Sequence, residues 1–255
     1  MVKLETFATE AIPPEVVLVG SSLTENLKAD EVADKASNLG MIAGCSQTGL
    51  EALIHSKYRP KAVIVELNRF VTRGTDFELI RGLYNAFSLD STRNLRCLQQ
   101  RYNLVNVVLS TLQAKYPSAW EARPNPSLLP RLIHEQLSTL SGKYHEEQLR
   151  IFAEQLAIVR QQILILRNEG VAVILHFIPE AYQLEASAGM SDFRSLATKI
   201  FPPGQYDWLA RALSNNWHTS DGIHLLSANV RIYDSYLNKA LCSRGLAKPV
   251  ISLSQ

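Results

Sequence analysis

Two short segments about two hundred residues apart carry residue types suited to nucleophilic catalysis, VVLVGSSLTENL at Val16–Leu27 and HTSDGIHLLSAN at His218–Asn229. A serine hydroxyl is a poor nucleophile until an imidazole takes its proton, and the imidazole works best when a carboxylate orients it. The first segment puts Ser21 and Ser22 where an apolar run ends, and the second puts Asp221 three residues before His224. A turn joining positions i and i+3 would let Asp221 accept from Nδ1–H and leave Nε2 free for the serine proton. Gly222, between them, suits such a turn. Ser22 is therefore the expected nucleophile, Asp221 and His224 its partners, and Ser21 a helix cap or structural residue. Each residue also has a plainer use, since serine and aspartate commonly cap helices and histidine is ordinary in loops. The two segments together favour catalysis. Thr24 stands where the second glycine of a Gly-x-Ser-x-Gly elbow would be, so that motif is absent.

The same residues resemble the SGNH (GDSL-type) hydrolases. Gly20-Ser21-Ser22-Leu23-Thr24 is similar to that family's Gly-Asp-Ser-Leu block with Ser21 in place of Asp, and Asp221-Gly222-Ile223-His224-Leu225 resembles its closing Asp-x-x-His block. Asn38–Gly44 resembles the second block, whose glycine presents a backbone N–H to the oxyanion. Val63–Asn68 resembles the third, usually Glu-Leu-Gly-x-Asn-Asp, but Asn68 arrives two residues early. The resemblance implies an acyl-enzyme on Ser22, with the oxyanion held by the N–H groups of Ser22 and Gly44 and by Asn68. It implies no cofactor, and a small-molecule or carbohydrate ester as substrate, with the acyl group passed to water or to a sugar hydroxyl. Residues 70–170 match none of the blocks.

These residues need elements to position them. Val16–Val19, Ala62–Leu67 and Val171–Phe177 are apolar, β-branched runs without polar alternation, as parallel strands buried on both faces require. Ala36–Leu39 is a further short strand candidate. Pro13-Pro14, Pro60, Gly170 and Pro179 punctuate the runs, and helical patterns such as Gly49–Ser56 lie between them. The expected fold is a flavodoxin-like three-layer α/β/α sandwich with a parallel sheet, in which ligands bind beyond the carboxyl ends of the strands. That is where Ser22 falls. Phe77–Leu89, Ser91–Tyr116, Pro126–Leu140 and Tyr144–Glu169 read as helices, with Asn125-Pro126 as N-cap and N1 of the third. The last repeats Leu149, Phe152, Leu156, Val159, Ile163 and Leu166 at steps of three and four, with Gly170 as its stop. Residues 72–169 are expected to form a helical insertion in a single domain, its stripe packed on Leu95, Leu98, Leu112, Leu129 and Leu132 or on a second copy of the chain. A final helix is expected at Ala228–Arg244.

The 255 residues carry a net charge of +2, too balanced for a nucleic-acid footprint. Cys45, Cys97 and Cys242 are odd in number and form no C-x-x-C pair, so buried free thiols are expected. The histidines show no metal-ligand spacing; His55, His134 and His145 fall on helices, and His176 reads as a core residue. Trp217 and His218 are candidates to line the acyl or alcohol pocket, and Arg69 and Arg73 to meet an anionic substrate. Solvated positions are the plainer alternative for all four. MVKLETFATEAIPP has no signal-peptide run and no stretch approaches eighteen apolar residues. A soluble chain is expected, cytoplasmic by default, or on the cell-envelope side if an anchor precedes this sequence. A non-catalytic assembly module, with a vestigial serine site and a helical interaction surface, is the competing function.

Overall fold

The apolar runs form neighbouring strands of one sheet. In the computed structural model, which describes residues 2–10, 12–85, 92, 95, 99, 102–115, 127–140, 142, 144–212 and 217–250, the strands are β1 (Val16–Val19), β2 (Ala36–Asn38), β3 (Ala62–Glu66), β4 (Ala172–His176) and β5 (Asp207–Trp208). All pairings are parallel and the order is β2-β1-β3-β4-β5, the flavodoxin-like order. β5 is two residues long and meets Ile174 and Leu175 of β4; nothing in its sequence marks it as a strand.

Successive side chains along a strand point to opposite faces, and the core divides accordingly. Val17, Val19, Val63, Val65, Val173 and Leu175 face one apolar cluster, while Val16, Leu18, Ala62, Ile64 and Ile174 face the other. The first face is covered by helices α1 (Val2–Thr9), α4 (Ser46–His55), α8 (Glu146–Asn168) and α10 (Ala188–Ile200), and the second by α3 (Ala29–Val32), α9 (Tyr182–Glu185) and α11 (Ser227–Cys242). The three layers follow directly from this division. α1 was not expected, yet Leu4 and Phe7 are fully covered by the first cluster. Helices α2 (Ser22–Glu25), α5 (Phe77–Tyr84), α6 (Leu104–Lys115) and α7 (Leu129–Leu140), with a 3-10 turn at Arg69–Arg73, complete the described set. Asn125, Pro126, Leu98, Cys97 and most of 86–101 lie outside the described residues. Cys45 is buried and Cys242 half-buried, both as free thiols. Among the described residues no helix is long and apolar enough to cross a membrane.

The stripe of the long helix is covered from within the sandwich. Phe152, Leu156, Val159, Ile163 and Leu166 of α8 are buried in the first cluster with Leu50 and Leu53 of α4 and Phe193 of α10. Their partner is the sheet and its own layer; Leu95 and Leu112, expected to cover them, remain 54% and 41% exposed. Periodicity shows that one side of a helix is covered but not by what. α8 starts where Gln148 Oε1 accepts the His145 N–H at 3.1 Å and stops at Gly170, whose φ of +83° favours glycine. Of the helices before it, α5 adds Ile80 to the first cluster and α7 adds Leu140 to the second; α8 is part of the layer on the first face.

Leu156→Ala is expected to cost about 2–5 kcal/mol, and Leu156→Glu, which strands a charge in the same place, to abolish the cooperative melt by circular dichroism. A Leu156→Glu chain that stays folded and merely changes oligomeric state in light scattering would put the stripe between copies instead.

Candidate active site

β1 ends at Val19, and the chain turns at once into α2. Gly20 makes that turn because a Cβ there would lie 2.1 Å from Thr24 Oγ1 and 2.4 Å from Glu66 Oε2. Ser21 is the N-cap, its Oγ accepting the Leu23 N–H at 3.2 Å, and its hydroxyl donates to Glu66 Oε1 at 2.7 Å. Ser22 is left half-exposed at the first position of α2. Among the described residues nothing accepts its backbone N–H.

The second segment folds back on itself through a bridge between Thr219 and Leu225. Gly222 sits at φ +94°, a conformation that other residues reach only under strain, and its N–H donates to Thr219 Oγ1 at 3.1 Å. Asp221 Oδ1 then accepts the N–H groups of Ile223 and His224 at 2.9 and 2.8 Å. Asp221 Oδ2 stands 2.7 Å from His224 Nδ1, and His224 Nε2 stands 2.9 Å from Ser22 Oγ. Thus Ser22, His224 and Asp221, 202 residues apart at the extremes of the Ser–His pair, meet in one hydrogen-bonded line. Burial alone would raise the Asp221 carboxyl, but the bonds from His224 and the two N–H groups hold it at about 2. The bond to Asp221 raises the His224 imidazole above its ordinary value against the opposing effect of burial, and the more distant charges of Glu180 and Glu66 add to the rise. The line can carry a proton from Oγ to Nε2 while an ionised Asp221 holds the imidazolium.

The other expected donors are placed differently. Asn68 has both amide hydrogens engaged, one by the Ile178 carbonyl at 2.9 Å and one by Glu180 Oε1 at 3.2 Å, and its Oδ1 accepts the Ile178 N–H at 2.9 Å. An oxyanion would have to compete with these two acceptors for the amide. The early arrival of Asn68 explains this: it sits directly after β3, within reach of the chain leaving β4. The Gly44 N–H donates to the Met41 carbonyl at 3.1 Å in a turn that holds Ala43 at φ +58°.

Arg69 is turned inward. Its Nη2 meets Glu180 Oε2 and Gln136 Oε1, each at 3.2 Å, and its guanidinium lies over the Phe70 ring with Arg73 on the same ring. An anionic substrate would have to compete with Glu180 for it. Trp217 is half-buried, donates from Nε1 to the Ala212 carbonyl at 2.8 Å and packs edge-on against Tyr233. His218 is exposed, its N–H directed to Asn229 Oδ1 at 3.3 Å. His176 is buried as expected, bonded through Nδ1 to the Tyr233 hydroxyl at 2.8 Å, and burial holds it near 3, so it stays neutral.

Three residues near the site escaped the sequence reading. Glu66 and Glu180 are fully buried carboxylates at or beyond the carboxyl ends of β3 and β4, the edge where the fold rule looks for ligands; a charged residue closing an apolar run was the available signal. Asn38 bolts the loop after β2 to α2, its Nδ2 donating to the Thr24 and Leu27 carbonyls, each at 2.7 Å. Beyond that loop lies a cavity of about 840 Å³ bordered by Glu25, Gly40, Met41, Gly44, Arg73 and Leu79. Among the described residues no group of His, Cys, Asp and Glu is placed to hold a metal ion.

No family model matches the sequence, and no curated protein matches it. One solved structure similar in overall course is that of a Bacteroides fragilis protein provisionally named an acylhydrolase, 12% identical, with a TM-score of 0.48, covering 96% of this chain and 93% of its own. That likeness is too distant to carry the chemistry of one chain to the other.

An NMR titration of the His224 ring is expected to give a midpoint above the ordinary histidine value of about 6.5, because Asp221 favours the protonated form. Asp221→Asn is expected to lower the midpoint; an unchanged midpoint would remove Asp221 from contact with His224.

Proposed function

We propose that this chain is a serine ester hydrolase or O-acyltransferase of the SGNH type, working through an acyl-enzyme on Ser22. The observation that carries the reading is the 2.9 Å contact between Ser22 Oγ and His224 Nε2, backed by Asp221 at 2.7 Å from Nδ1. Ser22 Oγ attacks the ester carbonyl as His224 takes its proton, and the C–O bond to the alcohol breaks as His224 returns that proton to the leaving oxygen. Water or a sugar hydroxyl then gives its proton to His224 and attacks the acyl carbon, the bond from that carbon to Ser22 Oγ breaks, and His224 returns the proton to Oγ. Asp221 stays ionised throughout and balances the imidazolium.

The developing oxyanion falls to the Ser22 N–H, which has the geometry of a donor at a helix start. Gly44 joins it only if its N–H leaves the Met41 carbonyl. A missing donor is worth about 3 kcal/mol of transition-state stabilisation, so a site with one donor favours activated esters over unactivated ones. The substrate class proposed is a small or carbohydrate ester. The engaged Asn68 amide is the observation that favours the competing reading, a vestigial site in an assembly module.

A fluorophosphonate probe separates the two. The expected result is a single adduct located on Ser22 by mass spectrometry and lost in Ser22→Ala; an adduct on Ser21, or none on folded protein, overturns the hydrolase. With a short-chain aryl ester, turnover is expected to rise with pH through the His224 ionisation, since only neutral imidazole accepts the proton. Because Asp221 raises that ionisation, the rising limb should lie above about pH 6.5. A rate that falls over the same range would rule out His224 as base.

A further inference from the structure

The mechanism leaves the Glu66 carboxylate unused, though it lies against the turn that carries Ser22. It is fully buried and accepts from four donors: the Ser21 hydroxyl on Oε1 at 2.7 Å, and on Oε2 the Ser21 N–H at 2.9 Å, the Thr24 N–H at 3.2 Å and the Thr24 hydroxyl at 2.7 Å. An ionised carboxylate only accepts, so it suits four donors where a protonated acid does not. The first N–H groups of a helix have no partner within it. Here the Ser21 and Thr24 N–H groups go to Glu66 and the Leu23 N–H goes to Ser21 Oγ, which accounts for every such group in the turn except that of Ser22.

We propose that Glu66 is the positioning residue of the nucleophile: its carboxylate gathers the donors on either side of Ser22, leaving the Ser22 N–H open to substrate and the Ser22 hydroxyl aimed at His224. The inference rests on the reading of Ser22 as the nucleophile. It also gives Ser21 a reason. A neutral hydroxyl 2.7 Å from Glu66 Oε1 donates to it, whereas an aspartate at that position would set two carboxylates against each other. Gly20 belongs to the same arrangement, since any side chain there would displace Glu66 or Thr24.

Glu66→Gln keeps the shape but turns one end into a donor facing donors. The measurements, on the full chain, are the rate of fluorophosphonate labelling at Ser22, the His224 NMR titration and the thermal melt. Charged or titratable groups that bear on His224 are Asp221 in its own turn, Glu180 after β4 and Glu66 at the end of β3. The folded Glu66→Gln protein is expected to label about 10- to 100-fold more slowly, the scale of a misplacement of about 1 Å, and to show a lower His224 midpoint. A general loss of packing would show in the thermal melt, which the folded variant is expected to keep. Wild-type labelling together with a wild-type midpoint overturns the proposal. If Glu66→Gln does not fold, Thr24→Val removes one donor without changing shape; slower labelling supports the positioning role, and an unchanged rate overturns it. If the wild-type chain takes no label at all, the hydrolase reading fails by itself, and the Ser22 amide resonance and His224 midpoint in Glu66→Gln still decide: a shift in both upholds Glu66 as the organiser of the turn, and no shift overturns it.

Discussion

A buried carboxylate and a buried helix start are each unfavourable alone, and this structure sets them against one another. Glu66 has lost its water, a penalty of many kcal/mol if nothing replaced it, and α2 begins in the interior with N–H groups that no helix can satisfy from within. Bonds to a charged acceptor are roughly twice as strong as neutral ones, so four of them at one carboxylate work against both deficits, with burial still holding the carboxyl above its ordinary value. The consequences spread outwards. Position 20 must lack a side chain, position 24 must carry a hydroxyl, and the loop after β2 can lie directly on the back of α2. That last contact is close enough that a Cβ on Gly40 would fall 2.3 Å from the Glu25 nitrogen.

The histidine turn is held by a second polar chain that starts from Asn68. By accepting from the Ile178 N–H and donating to its carbonyl, the Asn68 side chain acts as one more residue of strand pairing beyond the end of β3. This fixes the course of the chain leaving β4, in which the Ala181 N–H donates to the Gly222 carbonyl at 2.8 Å. Gly222 lies between Asp221 and His224, so the register of the sheet reaches the imidazole through backbone contacts. Asn68 therefore serves the site from behind it. The same clip carries Glu180, whose carboxyl is raised by burial and lowered by Arg69 beside it; Arg69 is held by this contact.

What could be read from the sequence follows from how local each signal is. The runs at Val16, Ala62 and Val171 announce themselves because a strand buried on both faces leaves no room for polar residues, and the Asp221–His224 turn because three residues determine it. The partners of Asn68 and Glu66 could not be read, as they lie 110 and 45 residues away. β5 was invisible for another reason: two residues, Asp207 and Trp208, give no period to recognise. With α8 the stripe was plain and its partner was not, because Leu50 and Phe193 cover it as readily as any leucine of the neighbouring helices would.

The charges around His224 tie these threads together. Three carboxylates raise its affinity for a proton: Asp221 by direct contact, Glu180 and Glu66 through space. A more basic imidazole pulls harder on the Ser22 proton but is more often already protonated at a given pH, and the two effects oppose one another in the rate. Burial of the ring pushes the other way, which limits the rise. Burial raises both distant carboxyls; at Glu180 the rise is opposed by Arg69 and Asn68, and at Glu66 by the N–H and O–H groups of Thr24 and Ser21. The carboxylate that shapes the serine turn thus also acts on the base, after Glu180 in strength, which couples the geometry of the nucleophile to the basicity of its partner through one residue.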